Sequence, residues 1–263
     1  MSLSARALDY GFPGVTIGRA FDLAIEGAEI TCLLGPNGSG KTTLLRTLLG
    51  LLPPLGGAVT LDGRALGEWK AAARAARLAY VPQAAESYFD FSVLEVVEMG
   101  RTMHRGAFSQ PGKDDREHAR RALERLGIAS LAERPVNRVS GGERQLALIA
   151  RALATEATHL LMDEPTANLD YGNQSVVLDE IARLKSAGVA VFFSTHNPEH
   201  ALRIADRALM IRAGAIMAAG ATGDVVNSEN LSALYGRRIE VAEVASADGT
   251  RRRVCIPAGP PLG

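Results

Sequence analysis

Residues 35 to 42 read Gly35-Pro36-Asn37-Gly38-Ser39-Gly40-Lys41-Thr42, a G-x-x-x-x-G-K-[ST] run. Each part suits the phosphates of a nucleoside triphosphate. The glycines let the backbone turn tightly and aim successive N–H groups at phosphate oxygens. Lys41 supplies a point charge for the β and γ phosphates, and the Thr42 hydroxyl is a ligand for Mg2+. The apolar Ile30-Thr31-Cys32-Leu33-Leu34 precedes the run and a helical pattern over 42–49 follows it. The helix N-terminus therefore adds its dipole to the same site. Lysine occurs only at 41, 70, 113 and 185 among many arginines, so a chance match is improbable on composition.

A second group of candidate residues lies at His159-Leu160-Leu161-Met162-Asp163-Glu164. This apolar run predicts a buried strand with two carboxylates at its end. With a phosphate loop in the chain, Asp163 is placed to orient Mg2+ and its waters. Strand side chains alternate, so Glu164 points elsewhere and is free to polarise an attacking water.

These groups need elements to hold them. Residues 1–30 alternate short apolar pieces with Gly and Pro, which predicts short antiparallel strands and turns. Gly50 and Pro53-Pro54 end the helix after the phosphate loop, and a hairpin is expected around Asp62-Gly63. Ser92 and Glu95 have capping-box spacing, and charged or amphipathic helical patterns cover 114–126 and 140–153. The region 84–150 thus reads as a helical insert. Strand 160–162, helix 171–187 and strand 189–193 form a parallel crossover unit. A hairpin around Ala213-Gly214, a helix over 229–235 and a tail hairpin around Asp248-Gly249 complete the pattern.

The sequence also carries Ser140-Gly141-Gly142-Glu143-Arg144-Gln145, Gln83 after Val81-Pro82, Pro165 after the carboxylates, Asn168-Leu169-Asp170, and His196 after Ser194-Thr195. Together with Tyr10 and the phosphate loop, these residues resemble the ordered motifs of ABC-transporter ATPase subunits over residues ~3 to ~235. The resemblance implies an α/β phosphate-loop NTPase of the ABC ATPase fold, with a RecA-like core, an antiparallel β subdomain and a helical subdomain. The ATPase domain would span 1–235, with the insert near 84–150 and a short tail over 236–263. By resemblance, Tyr10 stacks on adenine, and Gly35, Pro36, Asn37, Gly38, Ser39, Gly40, Lys41, Thr42 and Thr43 bind ATP. Thr42, Gln83 and Asp163 serve Mg2+. Gln83 also contacts the attacking water, Glu164 is the catalytic carboxylate, and His196 contacts the γ phosphate. Ser140, Gly141, Gly142 and Glu143 cap the γ phosphate held by a second subunit, and Asp170 lies at that dimer contact. The signature begins with Val139, and His159 stands where an apolar residue is usual; both are minor departures.

One phosphate loop and one signature per chain imply a homodimer that closes on two ATP molecules. The aromatics Tyr88, Phe89 and Phe91 in the insert are expected to receive a helix of a permease. The stretch Phe91-Ser92-Val93-Leu94-Glu95 and the stretch Leu169-Asp170-Tyr171-Gly172 resemble importers of siderophores, haem and cobalamin. The implied partners are two transmembrane permease subunits and, indirectly, a periplasmic or extracellular solute-binding protein. The implied location is peripheral, on the cytoplasmic face of the cell membrane. Alternatives are a soluble ABC-type ATPase acting on nucleic acid or ribosomes, an exporter ATPase, and a molybdate or other metal importer.

Composition narrows the field. Lys+Arg and Asp+Glu both number 29 in 263 residues, so there is no net basic charge for non-specific nucleic-acid binding. Two cysteines exclude a disulfide framework. No apolar run approaches the roughly 18–20 residues of a membrane span, and the first residues, with Asp9 and glycines close behind, do not read as a secretory signal. Cys32 reads as core, Arg251-Arg252-Arg253 as a solvated hairpin edge, and His104, His118 and His200 as surface residues.

Overall fold

The structure is a computed structural model describing residues 2–83, 90–104, 112–245 and 249–259, with the side chains of 103 and 104 excluded. The readings made on Tyr88, Phe89, Asp248 and the His104 side chain lie outside the described residues.

Four strands make an antiparallel sheet in the order β2 (Val15–Glu26), β1 (Ser2–Phe12), β4 (Gly56–Leu61), β5 (Arg64–Ala65). The first two strands are not short: they run for 11 and 12 residues. Register shifts after Ala5, Leu8 and Tyr10 let them bend while staying paired. β4 and β5 join through Asp62 (φ 51°) and Gly63 (φ 75°), the two positive φ values that a tight hairpin turn requires.

The second sheet has six strands, ordered β10 (Ala215–Ala221), β9 (Arg207–Arg212), β3 (Ile30–Leu34), β8 (Ala190–Thr195), β7 (His159–Asp163), β6 (Leu78–Val81). Strands β6, β7, β8, β3 and β9 are parallel; β10 returns antiparallel to β9. The parallel strands are apolar on both faces because both faces are covered. Ile30, Cys32, Leu34, Leu160, Met162, Val191 and Phe193 join one core. The intervening Leu33, Leu161 and Phe192 join the other, with the antiparallel sheet's Leu3, Leu8, Phe21 and Ile25. Helix α1 (Lys41–Leu48) belongs to this second core through Leu44, Leu45 and Leu48, all fully buried. Each such side chain stabilises the fold by about 1.5–3 kcal/mol. The burial of α1 fixes the start of the helix, and so the phosphate loop, against both sheets.

The short α2 (Ala71–Ala75) precedes β6. Helices α3 (Val93–Glu98), α4 (Lys113–Arg125) and α5 (Gly141–Ala154) pack together through Val93, Leu94, Val97, Ala119, Leu123, Leu146 and Ile149. The capping box at Ser92 and Glu95 forms as its spacing predicts. Helix α6 (Tyr171–Ser186) joins β7 to β8. Arg125 of α4 pairs with the buried Glu180 of α6, which ties the helical group to the main sheet.

Helix α7 (Pro198–Ile204) follows β8, and α8 (Thr222–Val225) and α9 (Ser228–Tyr235) follow β10. A separate hairpin of β11 (Ile239–Ala245) and β12 (Arg251–Pro257) ends the described chain. The arginines at 251, 252 and 253 are exposed on it, and Cys32 is buried in β3.

Candidate functional site

The chain leaves β3 at Leu34 and must turn sharply into α1. Gly38 (φ 77°) and Gly40 (φ 97°) take left-handed conformations that a side chain would strain. The loop is anchored by Gly35 N–H donating to the Thr195 carbonyl at 3.2 Å and Gly214 N–H donating to the Ser39 carbonyl at 3.2 Å. Gly214 sits in the β9–β10 turn, where a Cβ would lie 1.7 Å from the Ile17 carbonyl oxygen. That close approach admits only glycine.

Lys41 is buried beneath the loop. Its Nζ donates to the Gly35 carbonyl at 2.8 Å and to the Pro36 carbonyl at 3.1 Å, and lies 3.2 Å from Oε1 of Glu164. The first turn of α1 holds no acidic residue, so the helix N-terminus keeps its full attraction for an anion.

Asp163 ends β7 and accepts a hydrogen bond from Ser194 Oγ at 2.7 Å; the same Oγ accepts from Glu164 N–H at 3.0 Å. Ser194 lies opposite Asp163 in the parallel register of β7 and β8, so the sheet itself places this link. Glu164 takes φ 49°, a conformation costing a non-glycine residue on the order of 1 kcal/mol. Its Oε2 lies 2.7 Å from Nδ1 of His196, whose side chain is 56% exposed. A cavity of about 650 Å³ opens over these groups. Ile17, Asn37, Gly38, Ser39, Gly40, Lys41, Thr42, Thr43, Gln83, Glu164, Asn168 and His196 line it. Thr42 and Gln83 line the cavity, whereas Asp163 is buried at the end of β7 and does not line it; all three carry oxygen donors of the kind Mg2+ takes.

Ser140, Gly141, Gly142, Glu143 and Asp170 do not line this cavity. Ser140 caps α5: its Oγ accepts from Glu143 N–H at 3.2 Å, and its own N–H donates to Glu143 Oε2 at 2.8 Å. These donors hold the Glu143 carboxyl below its usual range. Asp170 caps α6 by accepting from Asn173 N–H at 2.7 Å. The two helix starts are neighbours, since a Cβ on Gly142 would meet Leu169 Cδ2 at 3.3 Å.

Two expectations are corrected. Tyr10 offers no free face to an adenine, because it is fully buried. Its ring lies over Gly18, where a Cβ would come within 2.3 Å of it, and meets Phe21 edge-on at 6.0 Å. Its hydroxyl lies 3.5 Å from the Gly214 carbonyl, and burial pushes the phenol pKa up. Tyr10 therefore supports the phosphate loop from beneath. Phe12 is 43% exposed at the end of the same strand. Sequence reasoning missed it, although its place beside the Pro13-Gly14 turn was a signal that its ring could face solvent.

His200 is not a surface residue. It is buried between Thr166 and Thr195, both 3.2 Å from Nδ1, with Asn197 Nδ2 3.2 Å from Nε2. Burial pushes its pKa down to about 4. His118 is partly exposed beside Asp114 and Glu156. Ser194, which joins Asp163 to the Glu164 backbone, was also unread as a site residue; a hydroxyl in an otherwise apolar strand was its signal.

Among known proteins, the ABC transporter family model matches residues 19–167. An ABC transporter ATP-binding protein of Haemophilus influenzae is 41% identical over 235 residues, covering 89% of each chain. A hemin import ATP-binding protein of Myxococcus xanthus is 37% identical over 267 residues, covering 98% of each. A solved structure described as a metal-chelate type ABC transporter, in an inward-facing conformation, superposes with a TM-score of 0.86 at 32% identity, covering 98% of this chain and 97% of that one. With the family model matched over more than half of its length and relatives of this identity along nearly all of it, the chain belongs to the ABC transporter family, as one of its ATP-hydrolysing subunits.

Proposed function

We propose that this chain is the ATPase of a metal-chelate importer, working as a homodimer on two transmembrane permease subunits and, through them, with a solute-binding protein. The observation that carries the catalytic part is the convergence of Lys41, Glu164 and His196 on one cavity. The likeness to the Myxococcus hemin importer subunit and to the metal-chelate transporter supports the cargo class.

In this reading the phosphate loop from Gly35 to Thr43 holds the phosphates, and Lys41 turns from the loop carbonyls to the β and γ oxygens. Mg2+, when bound by Thr42, Gln83 and Asp163, would neutralise charge on the β and γ phosphates. Glu164 takes a proton from the attacking water, Gln83 positions that water, and His196 donates to the γ phosphate. Phe12 provides the adenine platform in place of Tyr10. Ser140, Gly141, Gly142 and Glu143 stand outside the cavity, so they would serve ATP held by the other copy, with Asp170 between the two copies. Residues 1–235 form the ATPase domain and 236–263 a tail; the insert near 84–150, including Phe91, receives the permease. The chain would then sit peripherally on the cytoplasmic face of the membrane. Among the described residues no helix is long and apolar enough to cross a membrane.

The test is to capture the tagged chain from gently solubilised native membranes and identify its partners by mass spectrometry. A polytopic permease with a solute-binding protein is the expected result, and metal and ligand analysis of that binding protein would give the cargo. Ribosomal or other soluble partners alone would overturn the transport reading and leave the ATPase chemistry standing.

A further inference from the structure

The loop that carries His196 is held from outside the cavity by the last helix of the ATPase core. We propose that Tyr235 is a positioning residue for His196, setting the rate of ATP hydrolysis by fixing the backbone of that loop. This rests on the role given to His196 above.

Tyr235 Oη donates to the His196 backbone carbonyl at 2.6 Å, across 39 residues of sequence. Tyr235 is the last residue of α9, where Gly236 (φ 65°) turns the chain out of the helix. The helix is in turn fixed from two sides. Arg212 of β9 donates to the Ala233 carbonyl at 2.7 Å, and the Ser232 and Ser228 hydroxyls accept from the N–H groups of Ile239 and Val241, each at 2.9 Å. A second tether lies just past the loop: Cys255 N–H on β12 donates to Glu199 Oε1 at 3.2 Å. Between the two tethers is a cavity of about 370 Å³, lined by Asn197, Pro198, Glu199, Tyr235, Ile239 and Cys255.

That cavity decides the argument. Where side chains fill the space beside a loop, packing holds it. Here the space beside the loop is open, and the His196 ring is more than half exposed. Apolar packing therefore does little to place the loop on this side, and hydrogen bonds hold it instead: Asn197 is fixed by its N–H on Thr195 Oγ1 at 3.1 Å and its Nδ2 at 3.2 Å from His200 Nε2, and the His196 carbonyl is held by Tyr235 from outside. Catalytic hydrogen bonds tolerate little misplacement. A loop released at its carbonyl would carry the imidazole away from Glu164 and from the γ phosphate without changing the phosphate loop.

The test uses the full chain with Tyr235→Phe, which removes one hydroxyl and keeps the ring. Steady-state hydrolysis of Mg-ATP should show kcat lowered about tenfold, the rate equivalent of one lost hydrogen bond, with KM within about twofold. The chain has five histidines, so ring signals from labelled histidine can be followed by NMR. The His196 signal should move while those of His118 and His159 stay. In a His196→Ala background, Tyr235→Phe should cost less than about twofold in single-turnover hydrolysis. The proposal is overturned if kcat and the His196 signal are unchanged. It is equally overturned if the loss persists in full in the His196→Ala background, or if KM rises more than kcat falls. Failure of the His196 role itself is seen separately, as wild-type kcat in His196→Ala alone; the His196 signal in Tyr235→Phe then still decides whether Tyr235 positions that loop.

Discussion

The carboxylate of Glu164 lies 2.7 Å from Nδ1 of His196 through one oxygen, while its other oxygen lies 3.2 Å from Nζ of Lys41. Glu164 thus joins the phosphate-loop cation to the loop after β8. In the proposed function, a triphosphate entering the cavity would compete with Glu164 for Lys41, because it brings more negative charge to the same ammonium. Lys41 turning to the phosphates would leave one Glu164 oxygen available to a water, so that substrate binding and release of the base would be one event.

Glu164→Gln keeps the shape of the side chain and removes the base. Hydrolysis should fall by at least about 100-fold, with ATP affinity retained. ATP should then hold two copies together, so sedimentation of Glu164→Gln protein with Mg-ATP should show a dimer that disperses with ADP. A variant that stays monomeric with ATP would refute the shared two-copy site.

Lys41→Ala removes the cation that faces the phosphates, and also the donor to the Gly35 and Pro36 carbonyls. ATP binding, measured by calorimetry, should weaken at least about tenfold, the loss of one charge-assisted contact. Lys41→Arg should not rescue it, since the larger planar head does not fit a site built around a buried ammonium. Retained affinity in Lys41→Ala would remove Lys41 from the phosphate site, and retained affinity in Lys41→Arg would show that charge alone, and not the compact ammonium, is what the site needs.

Much of this site was legible because it is written in local sequence. The phosphate loop, the carboxylates after an apolar strand and the Ser92 capping box each depend on neighbours within a few residues, and the turn at Asp62-Gly63 needs only two positive φ values. What escaped depends on contacts distant in sequence. Tyr10 and Phe12 stand two residues apart on β1, yet one is buried and the other exposed, because the register shift after Tyr10 spoils simple alternation. The burial of His200 comes from Thr166, 34 residues away, and no spacing rule reaches that far. Ser194 acquires its role only when β8 pairs beside β7.

The proposed exchange of roles between the two aromatics can be measured directly. Tyr10→Phe should leave KM for ATP within about twofold, because a hydroxyl 3.5 Å from its acceptor contributes little. Tyr10→Ala should destabilise the fold by about 3–5 kcal/mol through the cavity it leaves. Phe12→Ala should spare stability and raise KM for ATP about fivefold to tenfold, within the range of a lost stacking contact. Altered ATP affinity in Tyr10→Phe with none in Phe12→Ala would reverse the assignment.

The buried His200 gives the fold an acid sensitivity with a defined sign. Its pKa falls from the ordinary 6.5 to about 4 in the folded chain, chiefly because burial disfavours the charged ring. Between those values the unfolded chain binds a proton that the folded chain refuses, so stability rises with pH there. The contribution is complete above about pH 6.5 and is lost as pH falls towards 4; at about 1.4 kcal/mol per pKa unit it amounts to roughly 3 kcal/mol. His159, whose pKa is also lowered by burial, acts in the same direction. Chemical unfolding measured from pH 7.5 to 4.5 should show this slope. His200→Gln should start less stable at pH 7.5, having lost the contacts to Thr166 and Thr195. Its slope between pH 6.5 and 4.5 should nevertheless be shallower than that of the parent, by up to about 1.4 kcal/mol per pH unit. Equal slopes in the two proteins would mean that His200 titrates normally and that other groups carry the acid response.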